Sequence, residues 1–125
     1  MINNAKKKKI IEQITPHTVI PEGVTVDIYW DNYFKNFYEP IKIYEDGESF
    51  FTYKQGNDHI WAQDFVCGDL KSSYRVMEKL EEMSKKQTVK MHVSVSNVKM
   101  LNILLERGFK IKELIGYNYL IERNK

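Results

Sequence analysis

At 125 residues the chain has room for one domain and one modest core, and its 42% apolar and 13% aromatic residues suit a globular protein. A formal net charge of +2 is weakly basic, and no apolar run approaches the roughly 18–20 residues of a membrane helix. One cysteine, Cys67, excludes an internal disulfide and a cysteine-based zinc site, and the lysines at 6–9 precede no long apolar segment, so neither a disulfide scaffold nor a secretory signal is expected.

The first predicted element is a helix capped by Asn3 or Asn4 and running through Ile14, with Ile10, Ile11 and Ile14 as its apolar side and Pro16 ending it. Pro21-Glu22-Gly23 reads as a turn. Val24, Val26, Ile28 and Trp30 alternate with Thr25, Asp27 and Tyr29, which predicts a strand over 24–30. Residues 31–38 fit a short helix with Tyr33, Phe34 and Phe37 facing in. After Pro40, Ile41, Ile43 and Tyr44 predict a strand, Asp46-Gly47 a tight turn, and 49–53 the return strand. Gln55-Gly56-Asn57-Asp58 marks a second turn before a strand over 59–66, completing an antiparallel meander that ends at Cys67-Gly68-Asp69.

A helix is expected over 71–86. Val76, Met77, Leu80 and Met83 form its apolar stripe, and Glu78, Lys79, Glu81, Glu82, Lys85 and Lys86 cover its outer face. Val89, Met91, Val93 and Val95 then alternate with Lys90, His92, Ser94 and Ser96 as a strand does. Asn97 stands at a helix N-cap, and Val98, Leu101, Leu104 and Leu105 follow at helical spacing. Gly108 closes that helix, and Phe109 and Ile111 lead into two final strands. The expected fold class is α+β in a single domain, 1–125. It divides into an N-terminal helix and turn (1–23), strands and meander (24–66), and helix-strand-helix-strand-strand (67–125).

The stretch 89–123 resembles the C-terminal half of the GNAT superfamily of N-acetyltransferases. The shared pattern is an Asn followed eleven and twelve residues later by Gly-Phe, the spacing of Asn97 and Gly108-Phe109. The motif covers about the last third of the chain, and the element order matches from the meander onward. A GNAT normally begins with a strand and two helices, whereas here a helix comes first. The resemblance implies a GNAT-like mixed, mostly antiparallel sheet flanked by helices. It also implies acetyl-CoA as cofactor, lying where two strands splay apart, with its pyrophosphate on N–H groups at a helix N-terminus. Phe50-Phe51-Thr52, the Trp-bearing strand, the charged helix and 93–109 are similar to small GNAT-like proteins of tailed phages, some of them virion proteins. That likeness implies a host-cytoplasmic or virion location.

By the resemblance, Val66, Gly68, Lys71, Ser72, Ser73 and Asn97 are the cofactor-binding positions, and Asp64 and His59 are the catalytic candidates by region. The family's loop is Gln or Arg, two residues, Gly, one residue, Gly or Ala. The segment VCGDLKSSY at 66–74 holds one glycine, Gly68, and puts Asp69 where phosphates would lie; Lys71, Ser72, Ser73 and Arg75 are the compensating donors and cations. Read by itself, the segment is a turn at Gly68, a helix cap at Asp69 and exposed first-turn serines. Seven residues after the Asn, many family members carry a Tyr that protonates the CoA thiolate; Leu104 stands there and has no proton to give. An Asp such as Asp64 needs burial to raise its pKa into the range of a base near neutrality, and is otherwise expected at a solvent-exposed or capping position. Cys67 is a nucleophile candidate by its place before a helix, and otherwise a small buried residue at a strand end. His17, His59 and His92 lack metal-ligand spacing, so no metal is expected.

Three functions compete. One is an acetyl-CoA-dependent N-acetyltransferase acting on an amine. The second is a GNAT-fold protein that has lost catalysis and binds other proteins, as a virion component or host-directed factor. The third is a small nucleic-acid-binding protein using the lysines at 6–9 and the aromatics at 29–53. Only Lys35, Lys42 and Lys54 interleave those aromatics, so core packing with a protein-facing patch is the expectation there. The missing loop glycines and Leu104 favour the second function. A protein partner is expected, and nucleic-acid and membrane partners are not.

Overall fold

Period-2 alternation builds the sheet of this protein, but not at 24–30. The computed structural model describes residues 2–14, 22–38 and 41–124; the expectations for Pro16, His17, Pro21 and Pro40, and for the side chains of Ile14, Tyr33 and Phe37, lie outside them. The segment expected as the first strand is helix α2 (Val26–Tyr33), following α1 (Asn4–Ile14) and preceding the short α3 (Lys35–Tyr38). Thr25 caps α2: its side chain accepts from the Ile28 N–H at 3.2 Å, and Asp27 lies in the first turn, where the helix dipole favours a carboxylate. Val26, Trp30 and Phe34 also recur every four residues. Trp30 and Phe34 are buried and stack at 5.4 Å, while Ile28, which alternation would bury beside them, is 49% exposed. The helical period therefore carries the packing, and the alternation at 24–30 is incidental.

Ile10 and Ile11 of α1 are buried, and the Asn3 side chain caps the helix by accepting from the Lys6 N–H at 2.9 Å. Asp27 ties the two helices together, accepting from Lys7 Nζ at 3.1 Å and Asn4 Nδ2 at 3.2 Å. Ile2, Ile10, Ile11, Trp30, Phe34 and Phe50 form one apolar cluster.

The sheet has six strands: β1 (Lys42–Asp46), β2 (Ser49–Gln55), β3 (His59–Val66), β4 (Thr88–Ser94), β5 (Lys110–Ile115) and β6 (Asn118–Arg123). They lie in the order β1-β2-β3-β4-β6-β5, and every pairing is antiparallel except β3 with β4. Helix α4 (Leu70–Ser84) makes the crossover that the parallel pair requires, and α5 (Val98–Glu106) connects β4 to β5. The second, larger cluster joins Val76, Met77 and Leu80 of α4 and Leu104 of α5 to Phe51, Ile60, Ala62, Phe65, Val89, Met91, Val93, Phe109 and Ile121. Neighbouring Phe50 and Phe51 fall in different clusters, so α1 and α2 pack one face of the sheet and α4 and α5 the other.

Strand β3 switches faces midway. Tyr53 pairs with Ala62, but Thr52 pairs with Asp64, so Gln63 is an extra residue and forms a bulge. Strict alternation would align Asp64 with Ile60 and Ala62. With the bulge, Phe65 joins Ile60 and Ala62 under α4, stacking on Phe51 at 6.1 Å, while Asp64 and Val66 turn to the α1–α2 face.

Helix α4 starts one residue earlier than expected and stops two earlier. Arg123 closes its end, donating from Nη1 to the Glu81 carbonyl at 3.1 Å and to the Ser84 hydroxyl. Helix α5 ends in a Schellman motif: the Phe109 N–H reaches the Leu104 carbonyl at 3.0 Å and the Gly108 N–H reaches Leu105 at 3.3 Å, with Gly108 at φ +94°. A Cβ on Gly108 would lie 3.0 Å from Arg123 Nε. Gly108→Ala therefore meets both the positive φ and the guanidinium, and is expected to lower stability by more than about 1 kcal/mol in chemical denaturation.

Candidate functional site

The parallel ladder between β3 and β4 runs only from His59–Thr88 to Ala62–Met91. Beyond it, Asp64, Phe65 and Val66 pair with β2, while His92, Val93 and Ser94 pair with β6, so the two central strands part. Below this parting, α4 and α5 flank a cleft of about 400 Å³. Phe65, Tyr74, Met77, Met100 and Ile103 supply its apolar wall, and Leu70 stands at its mouth, 74% exposed. Arg107 closes one side, with its guanidinium 5.4 Å from the centre of the Tyr74 ring and an ion pair to Glu81 at 2.6 Å.

The head of α4 borders the same cleft. Asp69 is its N-cap, as the sequence suggested, and its carboxylate accepts from the Ser72 N–H at 2.8 Å and the Ser72 hydroxyl at 2.6 Å. These bonds to Ser72, side chain first and then backbone, hold the Asp69 carboxyl below its ordinary pKa of 3.8. Ser72 is not the exposed first-turn residue expected: it is 1% exposed and its hydroxyl meets that of Ser49 at 2.7 Å. The Ser73 hydroxyl donates to the Asp69 carbonyl at 2.5 Å. The Gly68 N–H donates to Ser49 Oγ at 2.9 Å, and a Cβ on Gly68 would sit 2.4 Å from the Glu48 carbonyl oxygen. Gly68 is thus required for packing against the β1–β2 turn. Arg75 grips Asp46 with two contacts, Nε to Oδ2 at 2.8 Å and Nη2 to Oδ1 at 2.7 Å, which raises the Arg75 pKa and lowers that of Asp46.

The remaining sequence candidates disperse. Asp64 is not exposed or capping. It is 7% exposed in mid-strand, accepts from Thr52 Oγ1 at 3.2 Å, and faces away from Phe65 and the cleft. His59 is at the far end of β3, beside Asp58 at 2.7 Å, about 16 Å from Asp64 at the usual rise of a strand. The two do not form a dyad. Val66 packs in the α1–α2 cluster, and Asn97 caps α5 by accepting from the Met100 N–H at 3.3 Å. Lys71 is exposed. Cys67, expected to be buried, is exposed and lines the cleft. Leu104 is buried in the core. Among the described residues no three His, Cys, Asp or Glu side chains gather as metal ligands, and no helix is long and apolar enough to cross a membrane.

Sequence reasoning missed Leu70, Tyr74, Met100 and Ile103 as cleft residues. Met100 and Ile103 lie three apart, one flank round from buried Leu104, and that spacing was the available signal.

No family model and no curated protein matches the sequence. Solved structures do match. PaiA N-acetyltransferase from Thermoplasma acidophilum, in complex with coenzyme A, superimposes with a TM-score of 0.66 at 12% identity, over 99% of this chain and 96% of that one. The fold is that of the GNAT N-acetyltransferases. A GNAT-family acetyltransferase from Staphylococcus aureus Mu50 gives 0.59 at 11% identity, over 98% and 95% of the two chains. Arabidopsis thaliana Naa50, with the bisubstrate analogue CoA-Ac-MVNAL, gives 0.60 at 12% identity, over 98% and 93%.

Since Asp69 has a lowered pKa in the folded GNAT-like domain, it stabilises the fold above its ordinary value, and that contribution disappears as pH falls through the lowered one. Asp69→Asn is expected to reduce the melting temperature near neutrality. It should also flatten its decline below about pH 4, in melting curves recorded across pH.

Proposed function

We infer that this GNAT-fold chain does not employ acetyl-CoA and acts by binding another protein through the α4–α5 cleft. The observation that carries the reading is the Asp69 carboxylate seated on the Ser72 N–H, because the helix terminus at the cleft already holds an anion. A pyrophosphate brought there would meet that charge. It would find the Gly68 N–H, the Ser72 N–H and the Arg75 guanidinium already bonded. Of the compensating groups at the head of α4, only the exposed Lys71 ammonium is left uncommitted among the described residues, against the fixed Asp69 charge. Leu104, buried where many N-acetyltransferases carry their proton donor, supports the same reading.

The wall of the cleft suits a protein partner. Leu70 and Tyr74 expose apolar surface, and Met100 presents a flexible thioether chain that adapts to a partner's side chains. The phage likeness of 50–52 and 93–109 points to a virion or host protein as the partner class. Against the nucleic-acid reading, Trp30, Phe34, Phe50 and Phe51 are buried, and of the lysines at 6–9 Lys6 and Lys7 pair with Glu45 and Asp27 while Lys8 and Lys9 are exposed. An acetyltransferase is the second reading. It is favoured by the parting of β3 from β4 and by the CoA complexes of proteins with this fold.

Thermal unfolding decides between the two. A ligand at about 100 times its dissociation constant adds roughly 2.7 kcal/mol. No rise in melting temperature is expected with acetyl-CoA in the millimolar range, and a clear rise would restore the acetyltransferase. For the protein-binding half, Leu70→Asp and Tyr74→Asp, at exposed residues of the cleft, are expected to abolish a crosslink to a defined partner while leaving far-UV circular dichroism unchanged. A crosslink retained by both variants would remove the cleft from the interface.

A further inference from the structure

At the other end of α4 from Asp69, the chain builds a second pocket, of about 400 Å³, where the α4 C-terminus meets the start of β5 and the end of β6. Its charged and amide side chains are Lys85, Lys110, Arg123, Asn124 and Glu122. Arg123 is held rigidly, because Nη1 is committed to the Glu81 carbonyl and the Ser84 hydroxyl and the guanidinium lies against Gly108. A guanidinium has five N–H donors, so its Nε and Nη2 edge retains hydrogen-bonding capacity. Asn124 Oδ1 accepts from Thr88 Oγ1 at 3.4 Å, which leaves the amide N–H groups of Asn124 as donors. Lys85 and Lys110 are exposed, and neither enters an ion pair among the described residues. The carboxylate of Glu122 pairs with Lys112 at 3.2 Å.

We propose that this pocket is a binding site for a phosphate group. The lining offers three cations and a neutral amide donor, and its one acceptor of full charge is neutralised by a fourth cation, so it matches an oxyanion bearing several acceptor lone pairs. Cations at a helix C-terminus also serve the helix dipole, and Arg123 does so directly. Lys110 belongs to β5 and stands opposite Glu122 in the β5–β6 ladder, which brings its charge to the pocket from the second strand. The site stands on residues remote from Asp69 and is independent of the function inferred for the cleft.

The phosphate can be free or carried on another molecule, so the experiment has two arms. The full chain, labelled with nitrogen-15, is titrated with inorganic phosphate in one arm and with a short phosphoserine peptide in the other, each against chloride at matched ionic strength. Saturable shifts are expected at the amides of Gly108, Lys110, Arg123 and Asn124 in at least one arm. In the double variant Lys85→Gln with Lys110→Gln, affinity should fall about tenfold or more. Saturation in the first arm identifies the free ion, and tighter binding in the second identifies the phosphorylated chain. Shifts no different from those with chloride, or saturation unchanged in the double variant, would overturn the proposal. Both lysines are exposed and unpaired, so the double variant keeps its fold, which the dispersion of the same spectra verifies.

Discussion

The closeness of Gly68 to the β1–β2 turn governs the working end of this protein. With no side chain, Gly68 lies against the backbone of Glu48, where a Cβ would come within 2.4 Å of the carbonyl oxygen. That approach brings Ser49 to the Gly68 N–H and to the hydroxyls of Ser72 and Ser73, and sets Asp46 opposite Arg75. The turn and the head of α4 are therefore one hydrogen-bonded unit. Buried serine hydroxyls with several partners are costly to strand, so the unit holds together or opens as a whole.

On the function proposed above, the same unit is where a fold shared with N-acetyltransferases at low sequence identity would part from their chemistry. The scaffold features persist: a central parallel pair that separates, a crossover helix starting at the separation, and an apolar cleft beneath it. On that proposal, the difference lies in the use of the helix dipole. Four unsatisfied N–H groups at a helix start attract an anion from solution, or are served by a side chain of the chain itself. Here Asp69 takes the second course by accepting from the Ser72 N–H, and the Ser72 and Ser73 hydroxyls donate back to it, so the fold gains a well-fastened helix.

The second half of the chain was legible because its signals are local and agree with one another. Asn97, Gly108 and Phe109 act as cap, positive-φ terminator and core anchor, and the structure uses each as its chemistry suggests. The Asp46-Gly47 turn and the Asp69 cap were equally plain. At 24–30 two periods overlapped, and only the packing of Trp30 on Phe34 selects the helical one. The burial of Asp64 was illegible for a different reason: the extra residue Gln63 reverses the faces of β3, and a bulge leaves no mark in composition. The cleft was invisible because its wall is made of the sides of two amphipathic helices, whose residues look like ordinary core until the helices are set apart.

A similar irregularity marks the outer strand. The β5–β6 pairing slips between Ile111 and Glu113, and lysines stand at 110 and 112 on a strand exposed along its whole length. A slipped, charged border is a poor template for another strand, even with Leu114, Ile115 and Tyr117 exposed nearby. Any molecule that settles on this flank must grip side chains, not extend the ladder. Such a border disfavours ladder growth along a flank that exposes apolar side chains.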